Sequence, residues 1–348
     1  MRAVTAVPGR SGTVGVEEVP EPVEQDGAVL VRGRLIGVCG TDREIADGVY
    51  GEPPAGEPKL IIGHEGLGEV IEAPAGSGFA AGDLVVGIVR RPDPVPCPAC
   101  AEDQWDMCRN NRFAERGIVR RHGYASEHWR VEPEFALPIP PRLGELGVLL
   151  EPTSVLAKAW DQVDRISQRA FFLGGRAMVT GAGPIGLLAC LLGVQRGYEV
   201  HVVDLVTGGP KRDLVEALGA HYHAGDAADV EAEVEVVLEC TGLGAVGRSA
   251  ASRLVNGGIM SLTGIMNLDP QLDTDATTMN RNAVLRNLVL FGTVNAGRRH
   301  WWQAVEALEA ADPEWLRAMI TRRVPLTTFA DALGRQPGDI KVIVDLIA

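Results

Sequence analysis

The sequence predicts an α/β protein in which an irregular, mostly β domain is joined to a domain built on a parallel sheet. In roughly the first 150 residues, short strand-like runs such as AVLVRGRLIGVC (28–39) and DLVVGIV (83–89) are separated by turns rich in Gly and Pro. From about residue 175, strands alternate with helices, which is typical of a parallel sheet covered on both faces. At 348 residues the chain is long enough for two such cores.

The composition excludes some classes of partner. Apolar residues make up 46% and charged residues 23%, as in ordinary soluble globular proteins. The net charge is −13 and no basic block occurs, so we expect neither nucleic acid nor a membrane surface as a partner. The N-terminal stretch has no signal-like apolar core. Six cysteines in such a chain predict a reducing cytoplasm, where clustered cysteines more often bind metal than form disulfides.

Hydrophobic periodicity, together with residues that typically begin or end helices and strands, predicts the elements of the second half of the chain. Helices are predicted at 151–166, at 185–196, at 211–219, from 244, and in RHWWQAVEALEAA after about 295. Strands are predicted in RAMVT, EVHVVD, VEVVLEC, GGIMSLTG and LVLFGTV. The tail IKVIVDLIA is also strand-like and can return to the first domain.

A glycine pattern between a strand and a helix predicts a dinucleotide site. In G-x-G-x-x-G the first glycine makes a tight turn, the second admits the pyrophosphate, and the third lets helix and strand approach closely. The alternative is a structural glycine-rich turn, but the following strand ends in an acid, Asp204, as a ribose-binding strand does. The predicted cofactor residues are Gly181, Gly183, Pro184, Ile185, Gly186 and Asp204.

Asp204 also predicts NAD rather than NADP. Its carboxylate can accept hydrogen bonds from both ribose hydroxyls and would repel a 2′-phosphate. The next three residues, Leu-Val-Thr, supply no cation. Lys211 and Arg212 follow soon after and could turn toward a phosphate, although we assign them to the first turn of the next helix.

The segment IIGHEGLGEV (61–70) places His64 and Glu65 in a glycine-rich, apolar stretch. An H-E-x-x-H zinc helix is excluded because Gly68 lies four residues beyond His64. On these residues alone, a hydrogen-bonded core histidine remains the alternative. Cys39 in GVCGTD and Glu151 in LLEPTSV would complete a thiolate, imidazole and carboxylate set, which suits a zinc ion with one open position. The spacing of these residues in the sequence does not by itself show that they lie close together in the fold.

Several motifs give the whole chain a resemblance to a known family. GVCGTD, IIGHEGLGEV, GDLVVGIV, CPACAEDQWDMC and VTGAGPIGLLAC stand in the order found in zinc-dependent medium-chain alcohol and polyol dehydrogenases. FAERGI, HGYASEHW, LLEP and GTVNAGRRHW are most similar to the microbial glucose (aldose) dehydrogenase branch. The resemblance implies a GroES-like catalytic domain at 1–166 and 295–348, and an inserted Rossmann NAD(P)-binding domain at 167–294.

The resemblance also implies roles for individual residues. Catalytic zinc is expected at Cys39 and His64, with Glu65 and Glu151 as ligands or close neighbours whose coordination can change as substrate arrives. Gly63 and Gly66 would allow tight backbone packing while His64 and Glu65 face the metal. The expected proton relay is Thr41, the expected sugar-binding residues are Glu115 and Asn295, and the expected further cofactor contacts are Val294 and Asn295. For Glu115 and Asn295 the alternatives are a surface carboxylate and a turn amide.

A second zinc site is implied by the family's four-cysteine lobe, spaced C-x2-C-x2-C-x7-C. Cys97, Cys100 and Cys108 match the last three positions, and Pro94 occupies the first. Asp93 could substitute, or the lobe could be metal-free, although three cysteines at these spacings favour zinc. The remaining two cysteines, Cys190 and Cys240, are expected to be packed core thiols.

The function that these features predict is reversible oxidation of a secondary or hemiacetal hydroxyl with hydride transfer to NAD, giving a lactone from an aldose. One alternative is a dehydrogenase of a non-sugar secondary alcohol or biosynthetic intermediate. It stays open because Val155 stands where the aldose branch often has an acid for substrate. The other alternative is a catalytically silent dinucleotide-binding sensor or structural protein. The expected sign of such a protein would be the loss of Cys39, His64 or Glu151. Members of this family are commonly dimers or tetramers, so the resemblance implies a homodimer or homotetramer.

Overall fold

The computed structural model describes residues 1–264 and 276–348. The chain divides into two compact units, the first formed by Met1–Glu151 with Asn295–Ala348 and the second by Pro152–Val294. None of the helices in the described ranges combines the length and the apolar character that a membrane span requires.

The strands of the first unit are short apart from the third and the fifth. They are β1 (Arg2–Ala6), β2 (Gly15–Glu18), β3 (Val29–Val38), β4 (Leu60–Ile61), β5 (Glu65–Glu72), β6 (Leu84–Gly87), β7 (Arg90–Arg91), β8 (Ala114–Arg116), β9 (Arg120–Arg121), β10 (His128–Val131), β11 (Ala136–Pro138), β18 (Ile320–Pro325) and β19 (Lys341–Asp345). Its helices are α1 (Gly40–Ala46), α2 (Pro98–Ala101), α8 (Arg298–Ala310), α9 (Pro313–Met319) and α10 (Phe329–Leu333).

The main sheet of the first unit is organised around β3. Its strand order is β11-β6-β5-β3-β19-β18, and β10 also pairs with β3. The tail strand β19 runs antiparallel to β3, so the prediction that the tail returns to the first domain is confirmed. Gly37 of β3 lies opposite Glu65 of β5 on one side and Ile343 of β19 on the other. This register brings the start of the tail strand close to the start of β5.

The second unit is built on a parallel sheet. Its strands are β12 (Arg176–Thr180), β13 (Glu199–Asp204), β14 (His221–Ala224), β15 (Val234–Glu239), β16 (Leu254–Leu262) and β17 (Val289–Gly292). Its helices are α4 (Pro184–Gln195), α5 (Pro210–Ala217), α6 (Gly244–Ser252) and α7 (Ala276–Leu285), and α3 (Leu150–Ser167) leads into it. The order β14-β13-β12-β15-β16-β17, parallel throughout, is that of a Rossmann sheet. The predicted α/β class with a doubly wound sheet is confirmed.

The predicted elements of the second unit match the structure within one or two residues at most ends, but β14 and α7 of this unit were not predicted. The region between the predicted amphipathic helix and the tail differs, because it contains α9, β18 and α10, which the sequence did not predict. These elements are five to seven residues long, and only Val324 in β18 is buried. Such short pieces carry too few turns for a periodic signal.

Candidate metal and dinucleotide sites

Three residues from two separate segments converge in the first unit. Cys39 lies immediately before α1, and its Sγ accepts the backbone N–H of Thr41 at 3.2 Å. The same sulfur lies 3.1 Å from Nε2 of His64, just before β5. Ligand atoms of Cys39, His64 and Glu65 all lie within 4.8 Å of one another. The structure therefore brings together three of the four residues predicted for the catalytic metal.

Glycines make this convergence possible. Gly63 has a φ of +86°, and a Cβ built on it would lie 2.8 Å from the Cβ of Ala125. A Cβ on Gly66 would run into Tyr124, and a Cβ on Gly37 would overlap Oε2 of Glu65. Gly37 was absent from the predicted site, and it leaves the space that the Glu65 carboxylate occupies.

Asp42 is a site residue that sequence reasoning missed, although it closes the motif GVCGTD. Its side chain is buried, and Oδ2 accepts the backbone N–H of Cys39 at 3.0 Å. Its Oδ1 lies 3.6 Å from Nδ1 of His64. A carboxylate facing the second nitrogen of a metal-binding histidine fixes the orientation of the ring and directs the other nitrogen toward the metal.

Lys341 is the second missed residue, and it comes from the tail. Its Nζ contacts Oε2 of Glu65 and also donates to the backbone oxygen of Val38 at 3.3 Å. The available signal was a single lysine near the start of the mostly apolar tail segment IKVIVDLIA. A buried lysine is seldom tolerated without a paired acid.

The electrostatics of the site are those of several acids around one imidazole. Burial opposes protonation of His64, but Cys39 and Asp42 raise its pKa well above the ordinary value. Burial, reinforced by Glu65, raises the pKa of Glu151 to about 7, against the opposing effect of His64. Glu151 therefore belongs to the same electrostatic group, although the close group of ligand atoms contains only Cys39, His64 and Glu65.

This donor set fits a zinc ion. Thiolate, imidazole and carboxylate are the ligands that zinc takes in sites with an open position. His64 Nδ1 and Asp42 Oδ1 are buried without a hydrogen bond in the described part of the chain, and a proton between them would leave Nε2 of His64 free to bind metal. A divalent cation would also offset the electrostatic repulsion among the acidic groups of this site.

The three cysteines of the lobe form a second close group. The ligand atoms of Cys97, Cys100 and Cys108 lie within 4.8 Å of one another. Backbone N–H groups of Arg109 and Cys100 donate to Cys97 Sγ and lower the pKa of that thiol to about 6. A thiol stabilised as thiolate beside two more sulfur ligands suits zinc.

Asp93, the predicted substitute for the fourth ligand of the lobe, forms hydrogen bonds with the surrounding loop. Its oxygens accept hydrogen bonds from the backbone of Val95 at 2.8 Å, from Asn110 Nδ2 at 2.7 Å and from Arg112 Nε at 3.3 Å. The close group of ligand atoms at the lobe does not include it. Asp93 thus holds the loop that carries the cysteines.

Glu115 and Asn295 meet in the first unit. Oε1 of Glu115 accepts a hydrogen bond from Nδ2 of Asn295 at 2.8 Å and from Arg90 Nη2 at 2.8 Å. All three side chains are buried, so Glu115 is not a surface carboxylate. Asn295 has a φ of +59°, a conformation that asparagine tolerates better than most residues. Arg90 was not predicted, because its role depends on the pairing of β7 with β8.

The glycine pattern of the second unit has the geometry that a phosphate-binding turn requires. Gly181 has a φ of +81°, and a Cβ on Gly186 would overlap the backbone oxygen of Gly181. A Cβ on Gly183 would meet no described atom within 4 Å, so its backbone is open to approach. Helix α4 begins at Pro184, and Ile185 follows in its first turn. The three glycines therefore have separate roles, as the pattern predicts.

Asp204 ends β13 and is held by three donors. Oδ2 accepts from the backbone N–H of Ala182 at 2.7 Å and from Nζ of Lys211 at 3.1 Å, and Oδ1 accepts from Val206 N–H at 3.0 Å. Burial opposes ionisation, but these donors lower the pKa of Asp204. Lys211 lies in the first turn of α5, as predicted, and its ammonium still reaches the acid. Val294 has an exposed side chain, and its backbone oxygen accepts from Lys158.

A buried acid at the sheet's centre was also missed. Glu239 ends β15, and its Oε1 accepts from Thr180 Oγ1 at 3.2 Å and from the backbone N–H of Thr241 at 2.7 Å. Oε2 accepts from Gly242 N–H at 3.1 Å. Glu239 thereby ties the carboxyl ends of β12 and β15, the point where the strand order reverses and where such sheets bind ligands. Cys190 is buried and Cys240 is half-buried, and burial raises the pKa of both thiols.

Comparisons with known proteins give the family. Residues 25–141 match the alcohol dehydrogenase GroES-like domain, and residues 144–346 match the family described as glucose dehydrogenase C-terminus. The glucose 1-dehydrogenase of Methanocella arvoryzae is 37% identical over 360 residues, with 99% of both chains covered. That of Thermoproteus tenax is 36% identical over 354 residues, also with 99% of both chains covered.

A solved structure agrees with this assignment. Haloferax mediterranei glucose dehydrogenase in complex with NADP, Zn and gluconolactone superposes with a TM-score of 0.90 at 30% identity, with 100% of both chains covered. The predicted resemblance is confirmed. The chain belongs to the glucose dehydrogenase family of the alcohol dehydrogenases with a GroES-like domain, and is an oxidoreductase.

Proposed function

We propose that the protein is a zinc-dependent aldose 1-dehydrogenase, which oxidises the anomeric hydroxyl of a glucose-like sugar to a lactone with NAD as hydride acceptor. The convergence of Cys39, His64 and Glu65, backed by buried Asp42, is the observation that carries this proposal. The presence of gluconolactone, an aldose lactone, in the Haloferax mediterranei complex supports the choice of substrate class.

Cys39, His64 and Glu65 would hold the catalytic zinc, with Glu151 as the alternative carboxylate. When bound, the ion acts as a Lewis acid that lowers the pKa of the substrate hydroxyl. Asp42 orients the imidazole of His64. Thr41 follows Cys39 at the start of α1, and its Oγ1 would take the hydroxyl proton and pass it toward solvent. Cys97, Cys100 and Cys108 would hold a second, structural zinc.

Glu115 and Asn295 would recognise the sugar. A buried carboxylate and a buried amide are suited to neutral hydroxyl groups, which donate and accept hydrogen bonds without bringing charge. Arg90 fixes Oε1 of Glu115 with two donors, so the carboxylate is positioned before substrate arrives. This arrangement favours a polyhydroxylated substrate over a simple secondary alcohol.

The cofactor would bind to the second unit through the turn of Gly181–Gly186 and the N-terminus of α4, which suit a pyrophosphate. Ionised Asp204 would accept hydrogen bonds from the adenosine ribose hydroxyls and disfavour a 2′-phosphate. Lys211 offsets part of that charge. We therefore infer a preference for NAD of at least about tenfold, at the lower end of what like-charge repulsion produces.

The domain assignment and cellular setting belong to the same proposal. The catalytic domain would comprise 1–166 and 295–348, with the nucleotide domain at 167–294.

All six cysteines are free, which supports a reducing cytoplasmic compartment. A homodimer or homotetramer is the proposed assembly, and light scattering after size-exclusion chromatography tests it.

A substrate panel tests the function. Zinc-loaded protein is assayed with several aldoses and several secondary alcohols, each with NAD and NADP, by absorbance of the reduced nicotinamide. The product is trapped with hydroxylamine, which converts a lactone into a hydroxamate. We expect turnover with at least one aldose and a trapped lactone. Turnover confined to non-sugar alcohols would overturn the substrate assignment. Absence of turnover with every substrate, in protein that is loaded with zinc and binds NAD, would indicate a catalytically silent binding protein.

A further inference from the structure

Three of the seven histidines lie on one face of the second unit's sheet. Strands β13 and β14 are parallel neighbours at its edge, and their register places His201 beside His221 and Val203 beside His223. Residues that alternate along a strand share a face, so Glu199, His201, His221 and His223 all project to the same side. The imidazole of His201 stacks on those of His221 and His223, with centroids 5.0 Å and 5.2 Å apart.

The carboxylate of Glu199 is the focus of this cluster. Its Oε1 lies 3.3 Å from Nε2 of His201 and 3.5 Å from Nε2 of His221. Two ligands of a tetrahedral zinc ion, each about 2.1 Å from the metal, lie roughly 3.4 Å apart. Each of the two carboxylate–imidazole separations matches the distance between two neighbouring ligands of one ion. His221 and Glu199 are half exposed, so an ion can reach them from solvent.

The hydrogen bonding of His201 points to the same conclusion. Its Nδ1 lies 2.9 Å from Nε2 of His223, and these nitrogens share one proton. Its Nε2 is buried and makes no hydrogen bond in the described residues, despite the nearby carboxylate of Glu199. When Nδ1 donates to His223, a bare lone pair on Nε2 faces a carboxylate oxygen. A cation between the two atoms resolves that repulsion, and His223 then fixes the ring as a partner of a metal-binding histidine does.

We propose that Glu199, His201 and His221, supported by His223, form a site for a borderline transition-metal ion such as Zn²⁺ or Ni²⁺ on the nucleotide-binding unit. Imidazole and carboxylate together select such ions over Mg²⁺ and Ca²⁺. Binding of all three ligands requires the exposed ring of His221 to tilt so that its Nε2 approaches Nε2 of His201, because the two rings are stacked with centroids 5.0 Å apart. Burial and the neighbouring rings lower the pKa of His201, which keeps it neutral and able to bind metal.

The expected consequence is a cross-link between the edge strand and its neighbour. Strand β13 ends at Asp204, so an ion at this site stabilises the strand that carries the proposed ribose-binding carboxylate. An ion that binds the folded state alone raises Tm. The site lies wholly within the second unit and uses none of the residues proposed for catalysis, so its failure would leave the proposed function standing.

The test uses the full-length, zinc-loaded protein and Ni²⁺ as the probe. Bound nickel is measured by equilibrium dialysis and elemental analysis, with thermal melts in parallel. The informative variants are His221→Gln and Glu199→Gln, because both side chains are exposed and neither change threatens folding. The matched control is His128→Gln, which removes a surface histidine paired with Glu21 at 2.9 Å.

We expect wild-type protein and His128→Gln to bind one nickel equivalent more than either site variant, or to bind it at least tenfold more tightly. We also expect nickel to raise Tm by a few degrees only in wild-type protein and the control. Equal nickel binding in wild-type protein and both site variants would overturn the proposal. So would saturable binding that disappears in His128→Gln, since the ion would then lie elsewhere.

Discussion

The ammonium of Lys341 contacts the carboxylate of Glu65, and the two side chains are 1% and 2% exposed. One comes from the last strand and the other from β5, and Gly37 between them leaves room for both. The tail is thus part of the site, because it supplies the ammonium group that is paired with the buried carboxylate of Glu65. Breaking such a pair leaves an uncompensated charge.

Replacement of Lys341 by Met should lower the free energy of unfolding by about 3–5 kcal/mol, because it leaves Glu65 buried without its cation. Denaturant melts of the metal-free protein measure the effect. The matched control is Lys59→Met, whose partner Glu17 is exposed, and about 1 kcal/mol or less is expected there. Similar losses in the two variants would show that the Lys341–Glu65 contact is not a stabilising buried pair.

Thr41→Ala should reduce kcat by about 10²- to 10⁴-fold while the dissociation constant for NAD stays unchanged, because it removes a proton relay rather than a cofactor contact. Thr41→Ser retains the hydroxyl and should restore most of the activity. The measurement is steady-state kinetics across pH, with cofactor binding determined separately. Unchanged kcat in the alanine variant at every pH would exclude the relay.

Asp204→Asn should shift the ratio of kcat/KM for NAD to that for NADP toward NADP by about tenfold or more, since it removes the charge that repels a 2′-phosphate. Lys211→Gln should shift the ratio the other way, because Nζ of Lys211 lies 3.1 Å from Asp204 and offsets that charge. Arg212→Gln is the control, since its partner is Glu216 on the exposed face of α5. A wild-type preference for NADP would show that Lys211 dominates the pocket.

Glu132 should make stability depend on pH below about 4.5. Burial alone would raise the pKa of Glu132, but Arg91 and Arg121 lower it to about 2. A carboxyl whose pKa is lowered by folding stabilises the protein above its unfolded pKa, here 4.5, and that contribution is lost as pH falls toward 2.

Glu132→Gln should therefore cost about 2 kcal/mol at pH 7, a value reduced for partial solvent exposure, and less at pH 3. Urea melts at the two pH values measure the difference. Glu134→Gln, two residues along the chain at an exposed position, is the matched control for the change from Glu to Gln. A loss for Glu132→Gln that is the same at pH 3 and pH 7 would contradict the charge-based account.

Local sequence patterns predicted the parts of this protein that depend on neighbours in the chain. The glycines before and within α4 and the acid that ends β13 stand where strand, turn and helix succeed one another, so the dinucleotide turn could be predicted from the sequence. Cys39, His64 and Glu65 could be named because their residue types and motifs suit a metal. Their convergence could not be derived from spacing, because it depends on the pairing of β3 with β5.

The residues that sequence reasoning missed act through long-range contacts. Lys341 meets Glu65 only because β19 pairs with β3, and Arg90 meets Glu115 only because β7 pairs with β8. Asp93 offered a plausible zinc ligand by position, yet its oxygens hold Asn110 and the surrounding loop. A side chain's role depended in each case on what lies across the sheet or loop, which no local pattern contains.

The central claim is that Cys39 and His64 hold the zinc on which aldose oxidation depends, and zinc stoichiometry measured together with activity tests it most directly. Wild-type protein, Cys39→Ser and Cys100→Ser are stripped with a chelator, reloaded with zinc, and analysed for bound zinc and for glucose oxidation with NAD. We predict that Cys39→Ser loses one zinc equivalent and nearly all activity, whereas Cys100→Ser loses the lobe zinc and stability but keeps turnover while folded. Full activity in metal-free wild-type protein, or unchanged zinc content and activity in Cys39→Ser, would contradict the account.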